Sequence, residues 1–240
     1  MAVHPPMSQP VTSPRRSRAR RGFQIAASIV LWLAALFGGA GRWDWLRGWI
    51  YLAALLLMMA IGTLVVRRTN PDLMEARANW RHSDTKRFDR FFLALFLPLT
   101  YLHPAVGALD NARFGWWPIP FGAVYPGLAL FALATSLIAW VMAVNRFAET
   151  TVRIQSDRGH AVITGGPYRY VRHPMYVGAI LMYVATPFIL GSMWALVLSG
   201  VILILFIVRT ALEDRALRRE LPGYAEYALQ TRYRLLPGVW

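Results

Sequence analysis

The chain has 240 residues, 56% of them hydrophobic and only 16% charged, with no cysteine and a formal net charge of +14. That composition is too apolar for a soluble domain of this length, and the lack of cysteine excludes disulfides, a thiolate nucleophile and cysteine-held metal. In a bilayer protein the basic surplus is read by position, as topology, and not as a nucleic-acid surface.

Residues 1–22 are rich in Pro, Ser and Arg and are expected to form a disordered basic tail. Arg20 and Arg21 ahead of an apolar run superficially resemble a twin-arginine export signal, but further spans follow, so the run reads as a membrane anchor. A bilayer core about 30 Å thick calls for roughly 20 apolar residues per helix. Four apolar runs of that order occupy 25–40, 45–66, 91–109 and 124–144, free of charge except for Arg47 at the start of the second. The run at 175–208 has 34 uncharged residues, about 50 Å as a single helix and too long for one crossing. Pro187 and Gly191 near its middle predict a tight hairpin of two helices.

The predicted fold is therefore an all-α polytopic membrane protein with about six transmembrane helices. A four-helix region spans 23–144, and a second region, 145–240, holds the hairpin 175–208 and a C-terminal tail. Of the 26 Lys and Arg, 23 fall in the tail, the second and fourth connections and the C-terminal segment, which places both termini in the cytoplasm. Trp43, Trp45, Trp49, Trp116 and Trp117 fall near the opposite boundary, where amphipathic rings prefer to sit. The Pro- and Arg-rich composition suggests a bacterial cytoplasmic membrane.

The connecting segments differ in chemical content. The one from Arg67 to Arg90 mixes Asp72, Glu75, Arg77, Asp84 and Asp89, with His82 alone among them, and reads as solvated. His103, inside the third span, is an intramembrane ionisable group with no evident partner in the sequence and reads as structural. The stretch 145–174 is dense in Gly, polar and aromatic residues. Gly165, Gly166 and Pro167 mark a turn where backbone amides can approach a ligand, and Pro174 suits the first position of the fifth helix. That helix start offers free amides to an anion such as a carboxylate. Tyr168, Arg172 and Tyr176 recur at a spacing of four and share a face if the segment is helical, with His173 beside it. A bland alternative is a belt of interfacial tyrosines with arginines reaching lipid headgroups.

Beyond the hairpin the last helix continues past the apolar run. Glu213 falls at the depth of Arg172 to Tyr176, because the two helices pair antiparallel, and it is the acid best placed to accept from a ribose hydroxyl or an ammonium. Asp214, Glu220 and Glu226 read as solvated helix charges. Pro222 and Gly223 end the helix, and Tyr224, Tyr227 and Tyr233 form an aromatic tail that can fold back under the site. The five histidines are scattered, so no metal site is expected.

The ordered set GPYRYVRHPMYVG, Glu213-Asp214, LPGYAEY and RYRLLPGVW resembles the membrane methyltransferases that include isoprenylcysteine carboxyl methyltransferase and the phospholipid N-methyltransferases. The resemblance is concentrated in 145–240. It implies a pocket for S-adenosylmethionine, capped from the cytosol and opening sideways to lipid, with cofactor contacts at His160, Val162, Gly166, Tyr168, His173, Pro174, Tyr176, Gly178 and Glu213. It puts Arg172 close to the point of methyl transfer and leaves Arg172 and Glu213 as the catalytic candidates. Its substrate would be a lipid-borne carboxylate or amine, its partner the bilayer, and no nucleic acid is expected. The family often carries two glutamates where this chain has Glu213-Asp214, which leaves the second acid's ribose role open. Two other readings compete. An NADPH-dependent sterol-type reductase typically carries an acid directly after the glycine of a related string, where this chain has Ala179. The other is a non-catalytic membrane module or a small transporter; a transporter would show paired polar or broken segments in both halves, which the first four spans lack.

Overall fold

The apolar runs become helices because a backbone in an apolar setting must satisfy its own hydrogen bonds. The structure is a computed structural model that describes Gly22 and residues 26–79 and 81–240. The expected basic tail, Gly22 apart, and the first residue of the expected first span lie outside the described residues. Helix α1 spans Ala26–Gly38, α2 Leu46–Thr69, the short α3 Pro71–Ala78, α4 Arg87–Phe114 and α5 Phe121–Val144. After a long irregular loop come α6, Pro174–Leu190, α7, Met193–Glu220, and the short α8, Tyr224–Gln230. Among the described residues there is no strand, only an isolated bridge between Pro118 and Ser192. By length and composition α2, α4, α5 and α7 can each cross a membrane, while α1 and α6 are apolar but shorter.

The outer faces agree with that setting. Leu56, Leu57, Met59, Ile61 and Leu64 of α2 are exposed, an apolar surface suited to lipid. Trp43, Trp49, Trp116 and Trp117 are exposed as a boundary belt requires. Trp45 departs from that expectation: it is buried and donates to Asn111 Oδ1 at 3.0 Å.

The hairpin forms where Pro187 and Gly191 predict it. Gly191 adopts φ 81°, a left-handed conformation that favours glycine, and its N–H closes α6 on Pro187 O at 2.7 Å. Ser192 then caps α7, accepting from Ala195 N at 3.0 Å and donating to buried Asp110 Oδ2 at 2.6 Å. Arg47 donates to the carbonyls of Phe188, Ile189 and Ile119, so α2 and α4 both fasten the turn. The charge count could not foresee that Arg47, at the start of the second run, is buried.

Helices α5 and α6 pack closely at Gly178, where a Cβ would lie 3.0 Å from Ala134 O and 2.7 Å from the Ile138 side chain. His103 finds its partner in another span: its Nε2 is 2.9 Å from Ser199 Oγ on α7. The last helix runs on to Glu220, and the Pro222-Gly223 break turns the chain into α8, which packs Tyr224 and Tyr227 against Val162 and Tyr168.

Candidate active site

The loop after α5 is shaped by its own polar side chains. Asn145 Oδ1 accepts from Phe147 N at 2.8 Å, an Asx turn that ends the helix, while its amide donates to Tyr168 OH at 2.6 Å. Gln155 Nε2 donates to Phe147 O at 2.8 Å. The loop is stitched to the start of α4 by Val152 N donating to Asp89 Oδ2 at 2.7 Å and Lys86 N donating to Val152 O at 3.0 Å. A single 3-10 turn covers Gly166–Arg169, so Tyr168, Arg172 and Tyr176 do not lie on one continuous helix. Instead residues 172 and 173 pair with the tail: Arg172 N donates to Tyr233 O at 2.9 Å and His173 N to Arg234 O at 3.0 Å. Helix α6 then begins at Pro174, as predicted.

This architecture encloses a cavity of about 300 Å³, at the lower end of ordinary ligand pockets. One part of its wall comes from the helices, with Leu93, Phe96 and Leu97 of α4, Ile138 of α5, Ala179 of α6 and Phe206 of α7. Its other part lies at the helix ends and in the loop, where Glu149, Gln155, His160, Tyr168, Glu213 and Tyr224 supply polar groups. One apolar compartment therefore opens directly into one polar compartment.

Of the expected cofactor contacts, His160, Val162, Tyr168, His173, Tyr176 and Glu213 line this cavity. The Tyr176 hydroxyl donates to Glu213 Oε2, joining α6 to α7 at the wall. The rings of His173 and Tyr176 are parallel, 5.7 Å apart. The His160 ring lies tilted against Phe147, with centroids 4.7 Å apart, and its Nδ1 accepts from Gln155 N at 3.3 Å, which leaves a neutral ring protonated at Nε2. Burial lowers the His160 pKa, with Glu213 and Glu149 opposing, so both observations favour the neutral form. Burial raises the Tyr168 hydroxyl, keeping it protonated.

Gly166, Pro174 and Gly178 are not part of the lining. Gly166, at φ 58°, turns the chain against Trp140 and Val144; Pro174 is buried at the helix start; Gly178 serves the α5–α6 crossing.

Arg172 lines the cavity, yet its donors are committed elsewhere. Its Nε and Nη2 grip Asp214 Oδ1 and Oδ2 at 2.7 and 3.1 Å, and Nη1 donates to the carbonyls of Thr231 and Arg232 at 2.7 and 2.6 Å. Burial works against the cation, and the Asp214 carboxylate outweighs it, raising the Arg172 pKa.

The expectation that Asp214 is a solvated helix charge is overturned: it is 1% exposed and receives Arg218 Nε and Arg234 Nε at 3.1 Å and Tyr224 OH at 3.1 Å besides Arg172. Glu213 faces the cavity, and its neighbour one step round the helix faces the tail. Asp89 corrects the solvated reading of its segment in the same way. It is fully buried, with Oδ1 2.8 Å from Arg209 Nη2. His82 is not alone either, lying 3.5 Å from the buried Glu149, which Arg153 and Arg158 also hold. Arg77 reaches the cavity and donates to Ala148 O at 2.6 Å. Arg77, Asn145, Glu149, Gln155 and Arg209 also line the cavity and were not among the expected contacts; the cue to Asn145 was an amide directly after an apolar run.

Among the described residues no cluster of His, Cys, Asp or Glu could hold a metal ion. No curated protein matches the chain. The family model for phospholipid methyltransferase matches residues 123–222, which run from α5 through the loop and hairpin to the break before α8. That match and the motif resemblance agree: over these residues the chain is similar to the phospholipid methyltransferase family of membrane methyltransferases.

Proposed function

We propose that the cavity binds S-adenosylmethionine and that the protein transfers its methyl group to a lipid-borne acceptor at the cytoplasmic membrane face. The observation that carries this reading is the single cavity whose apolar compartment, between α4, α5, α6 and α7, meets a polar compartment holding Glu213, Tyr176 and His160. A lipid tail suits the first, and an amino-acid and nucleoside cofactor the second. The residues fit such a group. Glu213 is half-buried, with Tyr176 on one oxygen, and offers its carboxylate to a ribose diol or an ammonium. The rings of Tyr168, His173 and Tyr176 supply faces for an adenine or a sulfonium cation.

When bound, the cofactor supplies a methyl group on sulfur: the carbon–sulfur bond breaks with its electron pair to sulfur as a bond to the acceptor's oxygen or nitrogen forms. The protein's part is alignment and exclusion of water. A carboxylate acceptor needs no base, whereas an amine must lose a proton, for which His173 and Glu213 are the nearest groups. Arg172 acts as a positioning residue, holding α7 and the tail against the start of α6 through Asp214. With the basic segments facing the cytoplasm, the six apolar helices become six spans with both termini inside.

Calorimetry of the purified protein in detergent tests the reading. S-adenosylhomocysteine should bind and NADPH should not, and Glu213→Gln should weaken binding by about tenfold or more, the loss of one charged hydrogen bond. Stabilisation by NADPH and none by S-adenosylhomocysteine would overturn it.

A further inference from the structure

The cavity carries two guanidinium groups that the reading above leaves without a role. Arg77 comes from α3, outside the residues matched by the family model, and Arg209 from α7. Arg77 is half-buried, and its Nη1 donates to the neutral carbonyl of Ala148 at 2.6 Å. Among the described residues it enters no ion pair within 4.0 Å. Burial and then the Arg209 charge push its pKa down, the signature of a cation short of a counter-charge. Arg209 is 7% exposed; its Nη2 meets Asp89 Oδ1 at 2.8 Å and Thr150 O at 3.0 Å, and its Nε has no hydrogen-bond partner among the described residues. The rings of Phe92 and Tyr176 face its guanidinium at 4.3 and 5.0 Å, fixing it at the edge of the apolar compartment.

A buried N–H left unsatisfied and a desolvated arginine without a carboxylate together call for an oxyanion. We propose that Arg77 and Arg209 form an oxyanion subsite that seats the anionic group of the lipid acceptor, a carboxylate or a phosphate, where the apolar compartment meets the polar one. The proposal rests on the methyltransferase reading for the neighbouring cofactor. A lipid whose tail lies against Leu93 and Phe206 would present its head to these two groups, which share the cavity wall with Glu213. Asp89 holds one side of Arg209, which leaves Arg77 as the principal counter-charge.

The test uses the full chain in detergent, saturated with S-adenosylhomocysteine, with oleate, dioleoyl phosphatidic acid and oleyl alcohol as probes and thermal unfolding as readout. Oleate or phosphatidic acid should raise the melting temperature and oleyl alcohol should not; which of the two acts identifies the oxyanion. Arg77→Gln should weaken that response by about tenfold or more, and Arg77→Lys should restore part of it. Unfolding without probe shows that each variant is folded. Equal responses to oleate and oleyl alcohol, or an undiminished response in Arg77→Gln, would overturn the subsite. So would an Arg77→Gln variant that loses S-adenosylhomocysteine but keeps 5′-methylthioadenosine, because the oxyanion would then be the cofactor's own carboxylate. Failure of the wild type to bind S-adenosylhomocysteine at all counts separately, against the methyltransferase reading.

Discussion

Adjacent acids on α7 carry opposite duties. Asp214 serves structure: Arg172, Arg218, Arg234 and Tyr224 converge on it, and Tyr224 is held protonated by burial and by that carboxylate. Asp214→Asn leaves the buried Arg172 guanidinium short of its counter-charge and should cost about 3–5 kcal/mol, read as a large fall in melting temperature in detergent. Glu213→Gln removes a charge from the cavity wall and should leave the melting temperature nearly unchanged while cofactor binding falls. Equal destabilisation by the two substitutions would contradict this division. His160 adds a pH dependence. Its folded pKa lies below the usual imidazole value of about 6.5, so above that pH the ring is neutral both folded and unfolded. As pH falls below about 6.5 the unfolded chain takes up the proton first, and stability should decline until folded His160 also protonates. His160→Gln should flatten that part of the curve; identical melting profiles for the two proteins would refute it.

At the level of elements, the hairpin positions the site and was legible in the sequence. An uncharged run too long for one crossing, with Pro187 and Gly191 near its middle, admits little besides a turn. The start of α6 at Pro174 and the end of α7 before Pro222 were legible for the same local reason. Asp214 and Asp89 were not, because what buries them comes from afar: residues 172, 224 and 234 for the first, Val152 and Arg209 for the second. A solvated acid and a buried one look alike until those segments meet. Gly178 lies at a helix crossing and outside the cavity lining, a placement the sequence could not distinguish from one beside a ligand, because both leave the same letter. Gly178→Leu should force α5 and α6 apart at Ala134 and Ile138, costing about 1–3 kcal/mol by overpacking. Retention of wild-type stability in that variant would mean that the crossing tolerates a side chain.

For the molecule as a whole, the family match covers the hairpin and most of the polar compartment, while Tyr224 of α8 and, from α3 and α4, Arg77, Leu93, Phe96 and Leu97 complete the cavity from outside it. Orientation is testable directly, because the chain has no cysteine to mask. Asp44→Cys, in the exposed loop before α2, should react with a membrane-impermeant maleimide in intact cells, and Glu226→Cys, exposed on α8, only after permeabilisation. Labelling of both from the same side would reverse the topology. The central claim is methyl transfer to a lipid. The purified protein, incubated with methyl-labelled S-adenosylmethionine and a membrane lipid extract, should move label into the lipid fraction, and Glu213→Gln should abolish most of that transfer. A wild-type protein that leaves every lipid fraction unlabelled, or a Glu213→Gln variant that labels lipid as fast as wild type, would contradict the account.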